Sequence, residues 1–202
     1  GEGGLSPYHQ VHGGDLIWEI GSGYFGCRTP DGRFDPDSFA QQARVDQVKM
    51  IEIKLSQGAK PGAGGVLPTQ KITQEIAEIR GIDPTRDCVS PAAHSAFSTP
   101  DSLLDFVESI ATATGLPVGV KSAVGDMTFW QDVARLMATT SRGLDFITVD
   151  GGEGGTGAGQ TPGCGSRENT RLTRRPPAPR ARCRCCPLRA TTPCRRRGRC
   201  AI

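Results

Sequence analysis

The sequence is poor in the residues that several function classes require. Aromatic side chains make up 5% of the 202 residues, and the last 43 positions contain none. Binding of single strands by stacking needs aromatics among the basic residues, so that mode is excluded for the basic tail. The three histidines, His9, His12 and His94, have no metal-ligand spacing with each other. No C-x-x-C pair is matched by a second pair or by histidines, so no metal site is read. No apolar run approaches the roughly 18 residues that span a bilayer. No charged-then-apolar leader opens the chain. Neither a membrane span nor a secretory precursor is therefore expected, and the expected location is cytoplasmic.

Charge divides the chain in two. Residues 160–202 hold 12 of the 24 basic residues and one of the 21 acids, a net of +11, whereas residues 1–159 carry −8. The same tail holds six of the eight cysteines and six prolines, with Leu172, Leu188 and Ile202 as its large aliphatics. Such a segment buries too little apolar area to offset its ordering entropy, so disorder is expected. Arginine, proline and cysteine without lysine is also what GC-rich DNA encodes out of frame. The tail is read as out-of-frame translation, with nonspecific phosphate binding by Arg195, Arg196 and Arg197 as its functional alternative. The first residue is Gly1 rather than Met, which reads as a fragment.

From Val48 the body alternates strand and helix signals. Val48 to Leu55 is a buried strand, with Ile51, Ile53 and Leu55 on one face and Met50, Glu52 and Lys54 on the other. A Gly/Pro-rich loop, residues 56–68, leads to a helix capped by Thr73 and closed at Gly81. Residues 87–90 form a second short strand. Thr99, Pro100 and Asp101 open a helix that ends at Gly115. Val118 to Ser122 is a strand, Asp126 caps a helix closed by Gly143, and Leu144 to Val149 is a further strand. Units at this spacing imply a parallel α/β sheet. Polar residues at successive strand ends, Lys54, Ser90, Lys121 and Asp150, favour part of a (β/α)8 barrel over a doubly wound sheet.

Four features carry chemistry, each with a plainer reading beside it. Six glycines in residues 150–159 let backbone N–H groups approach an anion, as phosphate sites need, although a linker is the alternative. Gly119 and Lys121 share a strand face, so the glycine leaves room for a ligand and the lysine points a cation at it. An ordinary strand-end ion pair explains that lysine equally. Lys54 is either a ligand-facing cation or an internal partner of Glu52. His94 follows a strand end and is either a substrate contact or a hydrogen-bonded structural histidine. Cys27 and Cys88 read as reduced, buried thiols.

Seven stretches together resemble the flavin-binding synthase domain of glutamate synthases, chiefly its stand-alone relatives. They are residues 1–4, 13–18, 21–28, 48–65, 90–100, 118–121 and 149–158. The run from Ile51 to Gly62 is the most specific. The resemblance implies a partial (β/α)8 TIM barrel over 1–159 that binds flavin mononucleotide (FMN), followed by an unrelated tail over 160–202. It implies glutamate formation from 2-oxoglutarate and ammonia, with the electron donor unspecified. Lys121 is implied near the flavin ring, and Gly154, Gly155, Thr156 and Gly157 near its phosphate, with Asp150 and Gly152 opening that loop. Lys54, Gln57 and Lys60 are implied to face substrate, joined by Ser90 and His94, with Lys54 and Lys121 as catalytic residues.

Departures from the family pattern set the limits of the resemblance. Ala63 and Ala92 replace a common His and a common Pro, so the substrate loop is expected to differ. After Ala158 the pattern stops, so the last strands and the ligands of an iron–sulfur cluster have no counterpart, and a first strand is expected upstream of Gly1. A segment so bounded is expected not to close a barrel and to hold little flavin by itself. An N-methylglutamate synthase-like oxidoreductase and an inactive fragment with a basic arm remain the alternatives.

Overall fold

The computed structural model describes residues 2–60 and 62–151. Strand β1 (Leu16–Ile20) leads through helix α2 (Pro36–Ala43), which follows the single-turn α1 (Pro7–Gln10), into β2 (Val48–Lys54). The chain then forms β3 (Gly65–Leu67), a 3-10 turn (Thr69–Lys71), α3 (Gln74–Arg80) and β4 (Cys88–Ser90). Helix α4 (Pro100–Thr114), β5 (Val118–Ser122), α5 (Met127–Thr139) and β6 (Ile147–Val149) complete the series. Strands β1, β2, β5 and β6 form one parallel sheet in that order. The order never reverses over these four strands, which is consistent with part of a barrel wall.

Two rows of apolar side chains fix one face of this sheet. Trp18, Ile51 and Val118 are register neighbours, as are Ile20, Ile53 and Val120, and none is more than 2% exposed. Phe39 of α2 stacks on Trp18 with ring centroids 5.3 Å apart. From α4, Leu103, Phe106, Val107 and Ile110 are buried, at the three- and four-residue spacing of an apolar helix face. Complete burial of an isoleucine stabilises by about 1.5–3 kcal/mol, so Ile53→Ala would open a cavity at the sheet's centre and cost about 2–5 kcal/mol.

Helix ends follow their local chemistry. Thr73, Thr99 and Asp126 each accept a first-turn backbone N–H, and Gly81 and Gly115 close α3 and α4 at φ 66° and 68°. Gly143 does not close α5. The helix stops at Thr139, where the Thr139 and Thr140 hydroxyls bond to Arg135 and Leu136 carbonyls. These side-chain bonds compete with continuation of the helix.

Two strand expectations are corrected. β4 lies outside the parallel sheet and pairs antiparallel with β3, so Ser90 is not at the end of a barrel-type strand. Gly64 makes this ribbon possible, because a Cβ there would lie 2.0 Å from the Ser90 carbonyl oxygen. β6 is shorter than expected, since the Asp145 carboxylate takes the Val118 N–H at 2.7 Å, where a ladder bond would otherwise begin. β1 and α2 escaped the sequence reading altogether. No helix among the described residues is long and apolar enough to cross a membrane.

Candidate active site

The second face of the sheet is polar. Alternation along the strands puts Glu19, Glu52 and Gly119 in one row, and Lys54, Lys121 and Thr148 in the next row towards the carboxyl ends. Parallel pairing thus brings the two expected catalytic lysines side by side from strands 67 positions apart in sequence. Asp150 follows β6, with its carboxylate 3.8 Å from Lys121 Nζ.

Carboxylates hold both ammonium groups. Lys54 pairs with Glu2, donates to Gln57 Oε1 at 3.1 Å and lies 3.9 Å from Glu19 Oε1. Lys121 donates to Glu19 Oε2 at 3.1 Å. Glu2 reaches Lys54 across Gly21, where a Cβ would stand 2.9 Å from the Glu2 carboxylate. Burial works against the Lys121 ammonium, but the hydrogen bond and charge of Glu19, with Asp150 and Glu52, outweigh it and raise its pKa. Lys121 therefore stays charged at neutral pH. The expected internal pair of Lys54 with Glu52 is replaced by these contacts. Glu52 instead accepts from Thr148 Oγ1 at 2.6 Å, and burial foremost, then Glu19, pushes its carboxyl above the ordinary range despite that donor.

The space beside Gly119 is also used differently from the expectation. A Cβ there would lie 2.5 Å from both the ring and the carbonyl oxygen of Phe146, so the glycine admits this residue rather than a ligand.

Four of the expected substrate residues meet in one cleft: Lys54, Gln57, Lys60 and Ser90 line it together, with Glu2 and Ser22. Lys60 donates to the Gly64 carbonyl at 3.2 Å. Ala63 and Ala92 line the same cleft. His94 does not. It borders a neighbouring cavity of about 310 Å3, with Ser56, Phe97, Ser122, Phe129 and Trp130 around it.

His94 is 8% exposed, and both its ring nitrogens are engaged. Nε2 lies 2.8 Å from the Lys54 carbonyl, which can only accept, so Nε2 carries the proton. Nδ1 then accepts from the Tyr24 hydroxyl at 3.1 Å, and the Tyr24 oxygen accepts from the Ala96 N–H at 3.1 Å. Burial lowers the His94 pKa, partly opposed by the Lys54 carbonyl. The neutral ring thus fixes the end of β2 beside Lys54. Cys27 and Cys88 are buried free thiols, and burial pushes Cys27 up to about 12.

Gly152, Gly154, Gly155, Thr156 and Gly157 lie outside the described residues, as does the tail. Among the described residues no group of histidine, cysteine and acidic side chains could hold a metal ion. Sequence reasoning missed Glu2, Glu19, Thr148 and Phe146. For Glu19 a signal existed, since Leu16, Trp18 and Ile20 alternate with Ile17 and Glu19 as a half-buried strand would.

A parallel α/β sheet with paired lysines at the carboxyl ends of its strands defines the class, an α/β protein with a strand-end polar site. Residues 1–165 match the conserved region in glutamate synthase. The chain belongs to the glutamate synthase family. It is 42% identical over 158 residues to the glutamate synthase large subunit-like protein YerD of Bacillus subtilis, covering 78% of this chain and 30% of that protein. It is 36% identical over 161 residues to the archaeal-type glutamate synthase [NADPH] of Thermotoga maritima, covering 78% and 28%. Against the glutamate synthase [NADPH] large chain of B. subtilis, identity is 31% over 167 residues, covering 78% and 10%. The chain thus spans less than a third of the length of these relatives.

Proposed function

We propose that this chain contributes the flavin- and substrate-facing strand ends of an FMN-dependent glutamate synthase-type oxidoreductase that forms glutamate from 2-oxoglutarate and ammonia. The observation that carries the reading is the convergence of Lys54 and Lys121 on adjacent strand ends, beside a cleft that gathers Lys54, Gln57, Lys60 and Ser90. Cations suit a dicarboxylate, and amide and hydroxyl groups orient its oxygens.

The donor set fits a flavin at its ring edge. Lys121 is charged and 21% exposed, and it suits an anionic ring. The aromatic-lined cavity at the ends of β2 and β5 provides apolar surface nearby. Lys121 with Asp150 would hold the ring edge, and the glycine-rich sequence of residues 152–157 is assigned to the phosphate by family resemblance. When bound, the flavin supplies the two-electron reduction. The chain's own residues bind and orient: Lys54 and Lys60 hold the substrate carboxylates, Gln57 and Ser90 offer hydrogen bonds, and His94 fixes the strand end that carries Lys54.

A second reading has an observation of its own. Ala63 and Ala92, the two departures from the family pattern, both line this cleft. Small side chains there favour a different amine or oxo acid, as in an N-methylglutamate synthase-like enzyme. Calorimetric titration with 2-oxoglutarate, repeated on Lys60→Ala, tests the main reading. Binding that weakens in the variant supports it, and binding that is absent or indifferent to Lys60 sinks it.

A further inference from the structure

Glu19 and Glu52 stand opposite each other on β1 and β2, on the face that carries the lysines. Their surroundings differ. Glu19 directs one oxygen at each ammonium, 3.1 Å from Lys121 and 3.9 Å from Lys54. Glu52 is 8% exposed, receives the Thr148 hydroxyl at 2.6 Å and has Glu19 as its register neighbour on β1.

Two carboxyl groups set side by side on a buried face repel each other when both are ionised. The ammonium groups favour the ionised form of Glu19, whereas burial beside a like charge favours the neutral form of Glu52. The other charged groups at this face are Glu2, Lys54 from β2, Lys121 from β5 and Asp150 after β6. We propose that Glu19 is a positioning residue that holds the Lys121 ammonium, and through its other oxygen faces Lys54, while Glu52 stands beside it as a neutral acid. Only one carboxylate of the pair then offsets the lysines, which leaves more positive charge for an anionic ligand at the strand ends. That last consequence rests on the function proposed above, whereas the protonation pattern stands apart from it.

The test is pulsed acylation of the full chain with acetic anhydride across pH, read by mass spectrometry. Lys121 is compared with exposed Lys49, and each rate is normalised to its alkaline limit, so that exposure cancels. Glu19→Gln should raise relative labelling of Lys121 at neutral pH by on the order of tenfold, the equivalent of one pKa unit. Glu52→Gln should leave it at the wild-type value near pH 6, with wild type falling behind only as Glu52 ionises. No rise in Glu19→Gln, or an equal rise in Glu52→Gln near pH 6, overturns the proposal. If Glu19→Gln does not fold, carbon NMR of the unmodified chain decides. The Glu52 carboxyl signal, assigned by its loss in Glu52→Gln, should titrate above the ordinary glutamate range, and titration at or below that range overturns the proposal. FMN titration of the same samples separates the two questions. A chain that takes up no flavin removes the flavin reading and leaves the labelling pattern standing.

Discussion

Replacing Lys54 with methionine keeps the stem and removes the charge. The side chain is 10% exposed, so the perturbation falls on buried partners: Glu2, Gln57 and Glu19. Breaking a buried pair costs about 3–5 kcal/mol when the remaining charge stays dry. Here the remaining charges have outlets. Glu19 keeps Lys121, and Glu2 is 41% exposed and can hydrate. The stability loss should therefore be nearer about 1–2 kcal/mol, which in a chain of this size lowers the melting temperature by roughly 2–8 °C. Loss of substrate contact is larger. A carboxylate left unpaired in a partly dry site loses about 2–5 kcal/mol, which weakens 2-oxoglutarate binding roughly 30-fold to several thousand-fold. Circular dichroism melts and calorimetric titration on one preparation read both quantities. A lowered melting temperature with unchanged affinity in the folded protein would make Lys54 a strut for Glu2 and Glu19 and refute the substrate role.

Gly119→Ala should destabilise by about 1–3 kcal/mol, because the new methyl meets the Phe146 ring and overpacks the sheet face. The Phe146 carbonyl oxygen is as close as its ring, so trimming the ring cannot relieve the contact. A Gly119→Ala variant as stable as wild type would show that this close approach does not restrict the position to glycine. His94 has its pKa lowered by burial, so the unfolded chain takes up the proton first. Its stabilising contribution is complete above the unfolded value of about 6.5 and is lost as pH falls from there through the folded value. Melting temperatures at pH 7.5 and pH 5 should therefore fall further in wild type than in His94→Gln, and equal falls would show that His94 is not the group responsible.

The legible parts of the fold were those with strong local chemistry. Thr73, Thr99 and Asp126 fix helix starts through their own side chains, and the apolar spacing of α4 needs no tertiary information. β2 and β5 were readable because their β-branched residues alternate onto one face, where Ile51, Ile53, Val118 and Val120 are buried. The β3–β4 ribbon was hidden, since three-residue strands show no period and their pairing depends on Gly64 approaching the Ser90 carbonyl. At the site, Lys54 and Lys121 were readable from strand alternation. Their partners were not, because Glu2 and Glu19 meet them only through sheet register and the bare backbone of Gly21. Gly119 misled for a related reason: a glycine announces a close approach without saying by what.

The most direct measurement is titration of FMN into this chain, followed by quenching of flavin fluorescence, for wild type and Lys121→Met side by side. With the glycine-rich sequence after Asp150 and Lys121 as the flavin site, quenching should be weak but saturable at one flavin per chain. It should weaken further in Lys121→Met while the far-ultraviolet circular dichroism of the two proteins stays the same. Quenching that never saturates, or saturates identically in the two proteins, would contradict the assignment of this strand-end face to the flavin.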